Sequence, residues 1–254
     1  MATKPPAQWQ EAPLIEVVDR AEDIVEGFNC VSEAFGRQAR DAIWVGMNPG
    51  WDTPEGKARG AAAMVEQWRA TTRDNKGNAN SVYLKATLPD PRQDGRRIVV
   101  GLAIWAQASF VPGRGEAPSN DLHRTVDLEA LYPGDEAEQR FLCQVWRSLV
   151  RRRIEVVREK ATAEPPSVMV LEMCATDPSF QRRGIASRLV QWGLDEARRR
   201  GIPEATTEAS SMGRSVYERL GFRPEGPDIV YDVDAEFLSW DKPPNIFMRI
   251  SSGP

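Results

Sequence analysis

Residues 181–186 read QRRGIA, and their charge sits at the wrong end of the segment that follows. Ala186, Leu189, Val190, Gly193 and Ala197 fall on one helical stripe, closed by Arg198, Arg199, Arg200 and then Gly201. A cationic last turn with a glycine after it is what a helix C-terminus favours. Arg182 and Arg183 stand instead at the helix start, where the macrodipole is already positive. No acidic residue lies between Pro178 and Leu194 to offset them. A bound anion resolves the conflict, because free N–H groups and the dipole attract it and flanking arginines add charge-assisted hydrogen bonds. Gly184 lets a ligand approach the backbone, and Ala186 is small for the same reason. The natural guest is a phosphate or pyrophosphate. The chain has neither the P-loop nor the dinucleotide-fold glycine motif, so those two phosphate sites are not expected.

On the N-terminal side, VMVLEMCA at 168–175 is a near-continuous apolar run between PP and DP, a strand buried on both faces at the centre of a sheet. On the C-terminal side, EATTEAS at 204–210 reads as a strand, SMGRSVYERLGF at 211–222 as a short helix, and DIVYDVD (228–234) and NIFMRI (245–250) as two last strands. Upstream, LIEVV at 14–18 is a short strand. The helix that starts near Asp19 carries Ile24, Phe28, Val31 and Phe35 at helical spacing. Residues 43–53 read as an aromatic loop, 60–72 as a helix, and 81–88 and 98–108 as a hairpin. A polar loop follows over 109–134, then a helix over 136–160 in which Arg151, Arg152 and Arg153 read as a solvated face. The order is that of one mixed α/β domain, 14–254, behind a Pro-rich disordered tail at 1–13.

The strand, the QRRGIA turn, its helix, the strand TTEAS and the ending GRSVYERLGF together resemble the GNAT acetyltransferase superfamily. Gln181, Gly184 and Ala186 match its Q/R-x-x-G-x-G/A turn, and Tyr217, Gly221 and Phe222 its Tyr-x-x-x-Gly-Phe ending. The chain looks most like the fungal and bacterial small-molecule members, of the puromycin-acetyltransferase kind. The resemblance implies a mostly antiparallel sheet splayed between strands 4 and 5 and flanked by helices, with an insertion at about 109–165. It departs from the family at Ser210, where Asn is usual, and at Gly213, where Ala is usual.

The family implies acetyl-CoA as cosubstrate. Its pantetheine arm would pair with the backbone of Cys174, Ala175 and Thr176. Its pyrophosphate would lie on Gln181, Arg182, Arg183, Gly184, Ile185, Ala186 and Ser187, with Ser210 and Gly213 near the CoA arm. Tyr217 would protonate the departing thiolate. Glu172, a carboxylate in an apolar run, is the first candidate for the base, since burial raises a carboxyl's pKa. Glu208, His123 and a water chain are the alternatives. Trp44 to Trp51 would shape the acceptor pocket, with Trp105 and the loop at 109–123 capping it.

Bulk properties narrow the class further. The 254 residues carry a net charge of −4 and 28% charged residues, with nothing suggesting a nucleic-acid or membrane partner. Three scattered cysteines and one histidine argue against a disulfide scaffold or a metal site and fit a cytoplasmic setting. The acidic N-terminal half would steer a cationic amine. The expected activity is direct acetyl transfer to a primary amine of a small molecule by a monomer or homodimer. Acetylation of protein lysines or N-termini, and a non-catalytic acyl-CoA sensor, are the rivals.

Overall fold

The computed structural model describes residues 11–90 and 92–251, so most of the tail expected at 1–13 lies outside the described residues. Strands are β1 (Leu14–Val17), β2 (Ser81–Pro89), β3 (Arg97–Ala108), β4 (Val168–Thr176), β5 (Ala205–Ala209), β6 (Arg223–Pro224) and β7 (Ile246–Ile250). Helices are α1 (Ala21–Val31), α2 (Ala42–Met47), α3 (Pro54–Arg69), α4 (Leu128–Leu131), α5 (Glu136–Lys160), α6 (Ile185–Arg200) and α7 (Arg214–Arg219). A π-helical stretch, Ser32–Ala39, continues α1. The seven strands form one sheet in the order β1-β2-β3-β4-β5-β7-β6. Every pairing is antiparallel except β4 with β5. This is the mixed sheet flanked by helices that the sequence led us to expect.

The splay is visible in the register. β4 is nine residues long, yet it meets β5 only at Met169–Ala205 and Val170–Thr206. Past that point the strands diverge, and Thr207 spans the gap by donating its hydroxyl to the Leu171 carbonyl at 3.0 Å.

Helices cover both faces. On one, α6 lays Ile185, Leu189 and Val190 against Ala103, Trp105 and Leu171. On the other, α1 and α3 pack Ile24, Phe28 and Val65 onto Leu102 and Ile104. Trp105 is fully buried beneath α6, where Gly193 leaves room for its indole. It is therefore a core residue and caps no pocket, contrary to expectation. Among the described residues no helix is long and apolar enough to cross a membrane.

Two segments differ from their sequence reading. Residues 42–47 are helical: the Asp41 carboxylate accepts the Trp44 N–H at 2.9 Å and starts α2. Residues 228–234 form no strand. Ile229, Tyr231 and Val233 alternate as a strand would but pack on α5. The N–H groups of Asp232 and Asp234 are satisfied by Ser148 and Gln144 of that helix instead of by a sheet.

Candidate active site

The splay opens into a cavity of about 1230 Å³ that runs from the start of α6, past the free half of β4, to α2, α3 and α5. At its α6 end Arg182 and Gly184 both have positive φ, 65° and 76°. Left-handed residues of this kind are what an anion nest is built from. No side chain caps α6, and its first turn has no acidic residue. A Cβ built on Gly184 would meet nothing within 4 Å, so space lies in front of the turn. The turn before α6 is thus uncapped and open in front of Gly184. Gln181 ties the turn down: its amide bonds Gln38 and donates to the Thr176 carbonyl at 3.2 Å. Arg182, Gly184, Ile185, Ala186 and Ser187 line the cavity with Gln181. Arg183 does not; its guanidinium lies 5.5 Å above the Phe180 ring.

Along β4 the cavity touches Cys174, Ala175 and Thr176. Thr176 lines the cavity, and its hydroxyl is buried with no partner. Burial pushes the Cys174 thiol up to about 12, so it is a neutral wall and no nucleophile.

Glu172 owes its place to a β-bulge. Ile104 pairs with Met173 and Trp105 with Leu171, so Glu172 has no partner on β3. Strict alternation would put Leu171 and Met173 on one face. Leu171 packs on the α6 side and Met173 on the α1–α3 side, so the bulge has turned the strand over. Glu172 lines the cavity with its side chain 42% exposed. Burial raises its pKa, Arg153 works against that at 3.7 Å, and Glu208 adds to it. Arg153 also grips Glu208 with two of its nitrogens, Nε to Oε1 at 3.1 Å and Nη2 to Oε2. Both side chains of that pair are buried, Arg153 at 9% and Glu208 at 4% exposure. The solvated-face reading therefore holds for Arg151 alone; Arg153 is a buried centre of charge.

Tyr217 of α7 lines the same cavity. Burial, with a smaller push from the Cys174 side, raises its phenol well above the usual value. Its ring lies against Gly213, where a Cβ would come within 2.6 Å of it. That is why glycine stands where alanine was expected. Ser210 and Gly213 also line the cavity. Trp44 is a cavity wall stacked among Phe28, Phe35 and Trp51. The loop residues Glu116 to Ser119 close one side. His123 is exposed, sits 3.6 Å from Cys143 and lines no part of the cavity, which removes it as a base. Arg153, Asp41, Trp146 and Asn245 are lining residues that sequence reasoning did not single out.

Residues 144–222 match the Acetyltransferase (GNAT) family. No curated protein sequence matches the chain. Among solved structures, an apo agmatine N-acetyltransferase mutant is 15% identical, with 94% of this chain and 98% of that chain covered at a TM-score of 0.57. Arylalkylamine N-acetyltransferase 2 from Aedes aegypti is 14% identical over 94% and 99%, TM-score 0.53. The polyamine N-acetyltransferase of Drosophila melanogaster is 14% identical over 93% and 97%, TM-score 0.52. At such identities these structures share a fold with the chain. The family match, which spans residues 144–222, adds a likeness to acetyltransferases over that segment.

Proposed function

We propose that this GNAT domain transfers an acetyl group from acetyl-CoA directly to a primary amine of a small molecule. The observation that carries the reading is one continuous cavity. It joins an uncapped, left-handed turn before α6 to a bulged, cavity-facing Glu172 and to Tyr217. The puromycin-acetyltransferase kinship is part of the proposal, and the agmatine and arylalkylamine enzymes among the structural neighbours are consistent with a small amine. A cytoplasmic setting fits three cysteines that are all free.

Acetyl-CoA supplies the activated thioester that the amine nitrogen attacks. The turn residues Arg182 to Ser187 hold its pyrophosphate against the start of α6, with Arg183 raising the local potential. The backbone of Cys174 to Thr176, unpaired on the β5 side, offers a strand edge to the pantetheine amides. Glu172 takes the proton of the acceptor ammonium and Tyr217 returns one to the departing sulfur. Cys174 keeps its proton, so no acyl-enzyme forms. A deep cavity walled on one side by Glu116–Ser119 and α4 supports a small acceptor over a polypeptide.

Thermal melting with acetyl-CoA is the first test. Ligand at a hundred times its dissociation constant adds about 2.7 kcal/mol. Gly184→Glu is expected to erase that gain, since it fills the approach, repels phosphate and must adopt a φ of 76°. Retained stabilisation would remove the turn from the donor site.

The pH profile tests Glu172. A base works deprotonated, so kcat/KM climbs as pH rises through the Glu172 pKa, and burial sets that limb above the ordinary carboxylate range. Glu172→Gln is expected to lose the limb and about 10²-fold in rate. An unchanged limb would assign the proton to a water chain.

A further inference from the structure

We propose that Asp41 and Asn245 form a second polar subsite of the acceptor cavity, which binds a cationic hydrogen-bond donor at the far end of a dibasic amine. The inference rests on the amine-acetylation reading and names the acceptor class within it. Both residues line the main cavity and also a side pocket of about 400 Å³ that adjoins it.

Asp41 is 9% exposed and Asn245 is 6% exposed. The Asp41 carboxylate accepts the Trp44 N–H at 2.9 Å, and no cation of the described residues pairs with it. Burial of Asp41 raises its pKa, while the Trp44 and Ile43 N–H groups work to keep it charged. Asn245 is held rigidly: its N–H donates to the Pro243 carbonyl at 2.9 Å and its own carbonyl accepts from Ile229 at 2.7 Å. Its Oδ1 is nevertheless buried with no partner.

The two cations that line the side pocket do not serve them: Arg40 is exposed, and no ion pair among the described residues joins it to Asp41. Lys242 lines the side pocket, but its ammonium donates to the carbonyls of Phe237, Leu238 and Trp240. Arg153, Glu208 and Glu172 line the same main cavity as Asp41 and Asn245. Arg153 largely neutralises Glu208 there. Glu172 remains to receive the reacting ammonium, and Asp41 remains to receive another positive group, being buried where the other cavity carboxylates, Glu116 and Asp127, are exposed. Buried acceptors without donors are costly, and a ligand donor removes that cost. A tail with no donor would leave the Asn245 Oδ1 unpaired, and one with no positive charge would leave the Asp41 carboxylate without a counter-ion.

Calorimetric titration into the CoA-bound protein tests this without needing turnover. The probes are α,ω-diaminoalkanes and guanidinoalkylamines of three to eight carbons, each against the n-alkyl monoamine of equal length. Wild type is expected to prefer the dibasic probe by about 10²-fold at its best length, because sites built to hydrogen-bond a group reject analogues that lack it. Asp41→Asn keeps an equally good N-cap for α2 and removes the charge. It is expected to cut the dibasic-to-monobasic ratio at least tenfold, on the order of one lost charged hydrogen bond. Asn245→Leu is expected to cut the ratio as well, and covers the case in which Asp41→Asn fails to fold. Equal affinity for both probes in wild type, or an unchanged ratio in the folded variants, overturns the subsite. Thiol release from acetyl-CoA is read in parallel. Dibasic-selective binding with no release from any amine overturns acetyl transfer and supports the subsite.

Discussion

Tyr217→Phe is expected to lower kcat by about 10²- to 10⁴-fold while acetyl-CoA still stabilises the fold as it does in wild type. The ring, which is what packs, survives the change: it keeps its place over Gly213 and its 5.9 Å contact with Phe222. Only the hydroxyl is lost. A phenol raised well above its usual pKa stays protonated through the working pH range, so it is always loaded as a donor. It therefore adds no limb of its own to the profile near neutrality, and Glu172 alone sets the acid side. Stopped-flow thiol release and a melting curve with ligand separate the two effects. Full turnover in the folded variant would take Tyr217 out of the chemistry and leave it as packing for α7.

The turn before α6 was legible because two arginines at a helix start conflict with the dipole, and that conflict is local to six residues. The helix at 136–160 was legible for a similar reason, since twenty-five residues of periodic sequence overwhelm local noise. α2 was not, because six residues hold too little periodicity and Trp44 and Trp51 suggested a loop. DIVYDVD was misread because alternation reports which side chains are buried and not what the backbone bonds to; here it bonds to side chains of α5. The bulge at Glu172 was invisible for a deeper reason: a bulge is a mismatch between two strands, and one strand's sequence does not contain its partner's register. Glu172 was picked out as a costly carboxylate in an apolar run, a reading silent about how the strand turns it to the cavity.

Arg153 did leave a signal. Val150, Ile154 and Val157 are buried around it on the same helix, so an arginine stands in phase with the apolar stripe. Such a residue is either a misplaced charge or one half of a buried pair. Arg153→Met is expected to destabilise the protein by about 3–5 kcal/mol, because it leaves Glu208 buried and uncompensated. Adding Glu208→Leu should recover much of that loss, since removing both charges spares the desolvation that removing one exposes. The two arms also act differently on Glu172. Arg153 lowers its pKa and Glu208 raises it, so the single variant moves the acid limb of kcat/KM upward in pH. The double variant withdraws both influences and the limb moves back. Denaturant melts of the four proteins give the coupling energy, and their pH profiles show whether the pair acts on Glu172 or only on stability. A cost below about 1 kcal/mol for Arg153→Met, the level of an exposed pair, would mean the guanidinium is solvated after all. A limb that stays fixed in both variants would break the link from Arg153 to the base.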